Sequence, residues 1–83
     1  MDRNNIIKKT KKYFDDNFNL DVKQIYYDET TEKMIVLAPE KGNKFDGMYL
    51  YNNGPAFIPF TPTQDVKLYR EIVKPNNLIY KMK

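Results

Sequence analysis

The chain has 83 residues, of which 41% are hydrophobic and 30% are charged, and it contains no cysteine, histidine or tryptophan. These proportions indicate one small globular domain over residues 1–83. The absence of cysteine and histidine excludes disulfides, thiolate zinc sites, cysteine nucleophiles and every mechanism that needs a histidine. Fourteen basic and 11 acidic residues give a formal net charge of +3, with basic ends and an acidic middle.

The first predicted element is an amphipathic helix over residues 4–18. Its largely apolar side is formed at 3.6-residue spacing by Ile6, Ile7, Thr10, Tyr13, Phe14, Asn17 and Phe18. Its opposite side carries Lys8, Lys9, Lys11 and Lys12. Asp2 or Asn4 can cap the start of the helix. The helix is predicted to end at residues 17–19, because asparagine tolerates the left-handed backbone that ends helices.

Four strands are predicted after this helix. Residues 20–27 alternate in polarity, with Leu20, Val22 and Tyr26 expected on one face, and residues 28–32 form a polar turn. Residues 33–38, KMIVLA, are nearly all apolar, which is typical of a central strand covered on at least one face. The last two strands are predicted over residues 45–51 and 55–60.

The second helix has the clearest start signal in the chain. Thr61 is predicted as its N-cap, Pro62 as its first helical residue and Gln64 as the partner in a capping box. The helix should run to about Lys74, because Pro75 forces the residue before it out of the helical region. Its apolar face is formed by Leu68, Tyr69, Ile72 and Val73.

The element order is therefore α-β-β-β-β-α-(β), where the bracketed element is residues 78–80, either a last short strand or a tail packed on the sheet. Short connections between consecutive strands favour an antiparallel meander. One or both helices should cover a face of that sheet, so the sequence predicts a two-layer α+β domain.

The stretch YLYNNGPAFIPF, residues 49–60, connects the last two predicted strands. Asn53-Gly54 has the composition of a two-residue hairpin turn, but Pro55 lacks the N–H group that would close it. A turn centred on residues 52 and 53 and a three-residue loop over residues 52–54 are the two alternatives. The three-residue loop separates the side chains better, because it places Met48, Leu50, Ala56, Ile58 and Phe60 on one face and Tyr49, Tyr51, Pro55, Phe57 and Pro59 on the other.

The aromatic face of this hairpin is the first candidate site. Pro59 indicates that its strand lies at the edge of the sheet, where a strand can pair with another chain. The aromatic face is core if a helix covers it, and it is a recognition patch for a protein partner or a second copy if it is exposed. The predicted protein-binding residues are Tyr49, Tyr51, Asn52, Asn53 and Phe57. We interpret the chain as a small non-enzymatic binding module, either an inhibitor or regulator of a larger partner or a homodimer.

The basic residues of the two helices are the second candidate site. They are Lys8, Lys9, Lys11 and Lys12 on the first helix and Lys67, Arg70 and Lys74 on the second. These side chains can contact nucleic-acid phosphates if both helices present them on one surface. Otherwise they are ordinary solvated helix faces. Nucleic-acid binding is therefore the alternative function.

Catalysis and cofactor binding have no supporting pattern. Asp28, Glu29 and Glu32 stand in a polar turn, where exposed carboxylates are expected, so neither an acid–base pair nor a metal site is predicted there. The three glycines are too far apart for a nucleotide-binding loop. The sequence predicts a protein that is not an enzyme and that holds no cofactor and no metal.

No apolar run of the sequence reaches membrane-spanning length, and the first residues lack the pattern of a signal peptide. A cytoplasmic protein with no membrane partner is therefore predicted, although an ectodomain of a longer precursor would have the same pattern. The frequent Lys, Asn, Ile and Tyr residues are typical of AT-rich genomes, with which a phage or mobile-element origin is compatible.

Overall fold

The computed structural model describes residues 2–39, 47–52, 54 and 56–82. Within these residues the chain folds as two helices and a five-stranded antiparallel sheet. In chain order the elements are helix α1 (Arg3–Phe18), strands β1 (Gln24–Asp28), β2 (Lys33–Leu37), β3 (Met48–Tyr51) and β4 (Ile58–Pro59), helix α2 (Val66–Ile72), a 3₁₀ turn (Pro75–Asn77) and strand β5 (Leu78–Lys81). The strand order in the sheet is β4-β3-β2-β1-β5. The α+β class and the fifth C-terminal strand are confirmed.

Helix α1 begins and ends where local chemistry predicts. The Asp2 carboxylate accepts a hydrogen bond from the Asn5 backbone N–H at 3.3 Å, which satisfies one of the unpaired donors of the first turn. Asn19 ends the helix in the left-handed conformation, with φ 55° and ψ 42°, and its N–H donates to the Asp15 carbonyl at 3.1 Å. The predicted helix and its end are therefore confirmed, and its start lies one residue earlier than predicted, at Arg3.

The two helices cover opposite faces of the sheet, so the domain has three layers. Strand β2 shows this directly, because Met34 and Val36 belong to the core cluster under α1 while Ile35 belongs to the cluster with Ile72 of α2. The expectation of two layers is wrong. A strand as uniformly apolar as β2 has to be covered on both faces, and the three strand residues 34–36 are all buried.

Strand β1 starts later than predicted, and the residues on its α1 side differ from the predicted set. Leu20 and Val22 pack under α1 as expected, but Tyr26 packs on the α2 side. Ile25, fully buried, takes the place under α1 instead. The strict alternation begins only at Gln24, because the strand pairing is irregular just before it. The Lys23 N–H donates to the Leu37 carbonyl at 2.7 Å, although Gln24 is the residue that pairs with Leu37, so two successive residues of the chain meet the same residue of β2.

Helix α2 begins at a different cap from the predicted one. The Asp65 carboxylate accepts a hydrogen bond from the Leu68 N–H at 3.0 Å and caps the helix. The Thr61 N–H does donate to the Gln64 side chain at 2.7 Å, as in a capping box, but this contact closes a separate turn before the helix. The Thr61 N-cap is therefore wrong, because the carboxylate of Asp65 is the stronger acceptor and stands one turn later.

The end of α2 is also earlier than predicted. The helix stops at Ile72, and Lys74 lies beyond it in extended conformation. The Asn77 side-chain amide donates to the Ile72 carbonyl at 2.9 Å. This contact satisfies one of the carbonyl groups that a helix end leaves without a partner, and Pro75 then opens the 3₁₀ turn that leads into β5.

The β3–β4 hairpin keeps the predicted faces with a longer loop. Leu50 pairs with Ile58, and Tyr49 pairs with Pro59, so the same register sets Tyr51 opposite Phe57 and leaves residues 52–56 between them. The loop is two residues longer than predicted, and a shift of two preserves the face of every side chain. Strands over 45–51 and 55–60 are too long for the observed β3 and β4, although residues 45, 46 and 55 lie outside the described part of the chain. The edge position of the Pro59 strand is confirmed.

Candidate functional site

A groove lies between α1 and the sheet, beside the turn that joins β1 to β2. Its volume is about 400 Å³, which is in the range of pockets that bind small molecules or single side chains. It is lined by Ile6, Lys9, Thr10 and Tyr13 of α1, by Tyr27, Glu32 and Met34 of the first hairpin, and by Tyr51 and Phe57 of the second. Four of these nine lining residues are therefore aromatic.

The helix wall of the groove follows from the periodicity of α1. Ile6, Thr10 and Tyr13 are separated by four and three positions and therefore project from one side of the helix. Thr10 is the buried polar residue of that side. Its hydroxyl lies 3.7 Å from the Met34 sulfur, to which it donates a weak hydrogen bond. This contact joins the helix to strand β2 within the groove lining.

The sheet wall is a row of residues that lie side by side on three strands. Tyr27 of β1 pairs with Met34 of β2, and Met34 pairs with Tyr51 of β3. All three pack in the core cluster under α1. Phe57 continues the row just before β4, with its ring centroid 5.5 Å from that of Tyr51. Antiparallel pairing thus brings together four side chains that are far apart in the sequence.

The five predicted protein-binding residues do not all lie in the groove. Tyr51 and Phe57 line the groove, and both are partly buried. Tyr49 lies under α1, where its ring centroid is 5.0 Å from that of Phe14 and 5.4 Å from that of Phe18. Asn52 is exposed at the hairpin loop, and Asn53 lies outside the described residues. Helix α1 therefore covers part of the aromatic face and leaves the Tyr51 end open.

The groove lining contains two charged residues, Glu32 and Lys9. Glu32 stands in the β1–β2 turn with φ 60°, and its N–H donates to the Asp28 carbonyl at 2.7 Å. Lys9 stands across the groove on α1. Between them, burial raises the pKa of the Tyr27 hydroxyl, and the nearby charge of Glu32 raises it further. The Tyr27 phenol is therefore neutral at physiological pH.

Sequence reasoning missed Tyr13, Tyr27, Met34 and Glu32 as groove residues. The error at Tyr27 follows from the wrong face assigned to β1, which placed Tyr26 inward. Glu32 was interpreted as part of an ordinary turn. A usable signal was nevertheless present, since Tyr27 and Met34 flank the polar turn at equal distance, and a hairpin closed at residues 28 and 33 pairs them.

The basic residues predicted for nucleic-acid binding lie on two sides of the sheet. Lys8, Lys9, Lys11 and Lys12 are on α1, whereas Lys67 and Arg70 are on α2 and Lys74 follows it. Because the helices cover opposite faces, the two sets do not form one surface.

Two of the α1 lysines already have partners within the chain. Lys12 forms an exposed ion pair with Asp16 at 2.7 Å, and the hydrogen bond and charge of Asp16 raise the pKa of Lys12. The Lys11 ammonium lies 5.0 Å from the centre of the Tyr80 ring. The Asp16 carboxylate offsets part of the positive charge of Lys12, whereas Lys11 keeps its charge beside the Tyr80 ring.

The acidic turn shows no sign of a metal site. Glu29 lies 3.4 Å from Arg3 in an exposed ion pair, and the Asp28 carboxylate accepts a hydrogen bond from the Thr30 N–H at 2.9 Å. Within residues 2–39, 47–52, 54 and 56–82, no group of three or more acidic side chains is placed to hold a metal ion. In the same part of the chain, neither helix is long and apolar enough to cross a membrane.

Comparison with known proteins gives no match. No family model matches the chain, and neither a curated protein nor a solved structure is significantly similar to it. The function is therefore inferred from the groove's own residues.

Proposed function

We propose that this protein is a small non-enzymatic, cytoplasmic binding module that holds a segment of a protein partner in the groove between α1 and the sheet. The partner inserts a side chain between the helix wall and the row formed by Tyr27, Met34 and Tyr51. Binding of this kind suits an inhibitor or regulator of a larger protein, or self-association through the same groove.

One observation carries the proposal, namely that a groove of about 400 Å³ between α1 and the sheet is lined by four aromatic residues together with Ile6 and Met34. A concave surface that is lined mainly by apolar and aromatic side chains is typical of binding sites. Aromatic and methionine side chains are also the types most favoured at protein interfaces, because they offer large apolar area with some adaptability.

Strand pairing at the β4 edge is a less favourable mode of binding. The Phe60 N–H donates inward to the Met48 carbonyl at 3.0 Å, so the alternation of an antiparallel ladder turns the backbone of Pro59 outward. Proline has no N–H to offer a further strand. Pro59 thus protects this edge, which favours capture of side chains over extension of the sheet.

The proposal is tested by partner capture from host lysate with groove variants that keep apolar volume. Tyr51→Leu and Phe57→Leu remove a ring from the groove while leaving an apolar side chain in the core. Tyr69→Leu is the matched control, because Tyr69 is a partly buried tyrosine in the cluster on the α2 side. Capture should fall at least tenfold for the first two variants and stay unchanged for the control.

Thermal melting of each variant separates binding from folding in this experiment. If Tyr51→Leu and Phe57→Leu melt like the control yet retain the partner in full, the groove is not the binding site. Sizing at two concentrations shows whether the captured partner is a second copy of the chain, in which case the groove variants should lower the self-association.

A further inference from the structure

We infer that Met34 is a site of reversible oxidation, at which a peroxide converts the thioether to a sulfoxide that the Thr10 hydroxyl holds by a hydrogen bond. The site follows from the burial of Thr10, from its contact with the Met34 sulfur and from the position of both residues in the groove lining. The consequence of oxidation for partner binding rests, in addition, on the proposed function.

The Thr10 hydroxyl is a buried donor with a weak acceptor. Thr10 is only 4% exposed, and its Oγ1 atom donates to the Met34 sulfur at 3.7 Å. A thioether sulfur accepts hydrogen bonds weakly, so this contact recovers less of the cost of burying a hydroxyl than a bond to an oxygen atom would. A good donor therefore lies beside an atom that becomes a better acceptor once it carries oxygen.

The groove gives a small oxidant a path to Met34. The side chain is only 7% exposed, but it lines the groove together with Thr10. The groove volume of about 400 Å³ is many times the roughly 30 Å³ that a water molecule occupies in the liquid, and hydrogen peroxide is little larger than water. Peroxide can therefore reach the groove lining while the domain stays folded.

The oxidation is a two-electron transfer of one oxygen atom. A lone pair of the Met34 sulfur attacks one oxygen of hydrogen peroxide, and the S–O bond forms as the O–O bond breaks. The hydroxide that leaves takes the proton of the transferred oxygen and becomes water. The sulfur loses two electrons and the peroxide gains them. Methionine sulfoxide reductases convert the product back to methionine.

Thr10 limits the damage that a sulfoxide would otherwise cause in the core. Met34 belongs to the core cluster under α1, where a polar oxygen buried without a donor would destabilise the fold. An oxygen atom added to the sulfur stays within reach of the Thr10 hydroxyl, because the unbranched methionine side chain can rotate about its bonds to bring the two together. The domain should therefore remain folded with the sulfoxide in place.

Oxidation changes the middle of the sheet wall. Met34 lies between Tyr27 and Tyr51, which are its partners in the neighbouring strands. A sulfoxide at this position replaces an apolar group of the groove lining with a polar one. An apolar side chain of the partner would have to remove water from that group on binding. Under the proposed function, oxidation therefore weakens binding, and reduction of the sulfoxide restores it.

The first measurement asks whether Met34 is oxidised in the folded chain. Hydrogen peroxide is added to the full chain, and the oxidised residues are assigned by mass spectrometry of its peptides. Met34 should react within about tenfold of the rate of Met82, which is partly exposed, and about 1 M urea should leave the Met34 rate unchanged. A rate that rises with the unfolded fraction, or no reaction at Met34, overturns the inference.

The second measurement tests the hydrogen bond from Thr10, in a background that carries Met48→Leu and Met82→Leu. After oxidation, the Thr10→Val variant should melt about 5 °C below the protein that keeps Thr10, whereas before oxidation the two should differ by less than about 2 °C. Thr10→Ser keeps a hydroxyl and is the matched control, so it should show no additional loss after oxidation. Equal losses on oxidation with and without the hydroxyl overturn the inference.

The third measurement is partner capture before oxidation, after oxidation and after treatment with a methionine sulfoxide reductase, in the same background. Capture should fall about tenfold on oxidation and return on reduction. If Tyr51→Leu abolishes capture while oxidation of Met34 leaves it unchanged, the groove binds the partner and the inferred control by oxidation is wrong. If neither Tyr51→Leu nor oxidation changes capture at unchanged stability, the binding proposal is wrong, and the first two measurements still decide the oxidation site.

Discussion

Tyr51 and Phe57 face each other across the β3–β4 loop, with their ring centroids 5.5 Å apart. Phe57 also contacts Tyr13 and Phe14 of α1, at centroid separations of 5.1 and 4.9 Å. The pair therefore joins the second hairpin to the first helix, and the same rings form one end of the groove. Under the proposed function, stability and binding are coupled at this place, because a substitution that removes one of these rings from the groove also removes contacts from the core.

Truncation of Phe57 should destabilise the domain, unlike truncation of its neighbour in the chain. Phe57→Ala is expected to lower the free energy of unfolding by about 3 kcal/mol, since it removes contacts with three rings and leaves a cavity. Ile58→Ala is the matched control and should cost less than about 1 kcal/mol, because Ile58 is 53% exposed. Urea unfolding measures both values. Similar losses for the two variants would mean that Phe57 does not pack on α1.

Gly47 should be intolerant of a side chain, whereas Gly54 should accept one. Gly47 has φ +123°, and a Cβ atom there would collide with the backbone of Pro39. Gly47→Ala is expected to cost more than about 2 kcal/mol. Gly54 has open space around it, so Gly54→Ala should change stability by less than about 0.5 kcal/mol. The comparison of urea midpoints decides this, and equal midpoints would contradict the close approach at Pro39.

The start of α2 can be located by removing each candidate cap. Asp65→Ala should lower the free energy of unfolding by about 1 kcal/mol, because the Leu68 N–H loses its acceptor. Thr61→Ala should cost less than about 0.5 kcal/mol, since Thr61 caps only an exposed turn. Chemical denaturation of the two variants gives both values, and a larger loss for Thr61→Ala would restore the predicted capping box.

Stability should fall in alkaline solution through Tyr27. The folded state raises the pKa of this hydroxyl above 10.0, mainly by burial, so folding favours the protonated form. Its contribution is complete below the unfolded-state pKa and is lost as the pH rises through the folded-state pKa. Wild type should therefore lose more stability than Tyr27→Phe between about pH 9 and pH 11. If urea unfolding shows that the stability of wild type and of Tyr27→Phe falls equally with pH, the prediction is wrong, because the Tyr27 hydroxyl then has the same pKa in the folded and the unfolded state.

Nucleic-acid binding remains the alternative, and it has a distinct signature. The binding-module proposal leads us to expect no mobility shift with DNA or RNA at about 50 mM salt. Should a shift occur, the separation of the helices predicts that glutamine at Lys8, Lys9, Lys11 and Lys12 abolishes it and that glutamine at Lys67, Arg70 and Lys74 does not. Such a result would favour the alternative, whereas equal effects of the two sets would contradict the opposite placement of the helices.

The elements that the sequence predicts well are those whose signals are local. Helix α1, its Asp2 cap and its Asn19 end depend on contacts within one or two turns. The apolar run of β2 has to be buried, whatever the order of the strands in the sheet. The faces of Tyr51 and Phe57 follow from the parity of the hairpin alone, so they survive an error of two residues in loop length.

The sequence predicts less well the positions where two local structures compete or where a strand begins irregularly. Thr61 and Asp65 are both good N-caps, and only the folded chain selects between them. Tyr26 was assigned to the wrong face because the chain does not alternate regularly before Gln24. In both cases local preference is similar for two arrangements, and packing of the rest of the domain determines the outcome.

The sequence alone thus specifies the helices, the central strand, the edge strand and the absence of histidine and cysteine chemistry. It does not specify the side of the sheet on which each helix packs, since both faces of the sheet are apolar and periodicity carries no information about layers. The groove arises at the tertiary level, because β-sheet register brings Tyr27, Met34 and Tyr51 into one row and α1 leaves one end of that row uncovered. The groove forms only when the long-range strand pairings form, because these pairings bring its lining residues together.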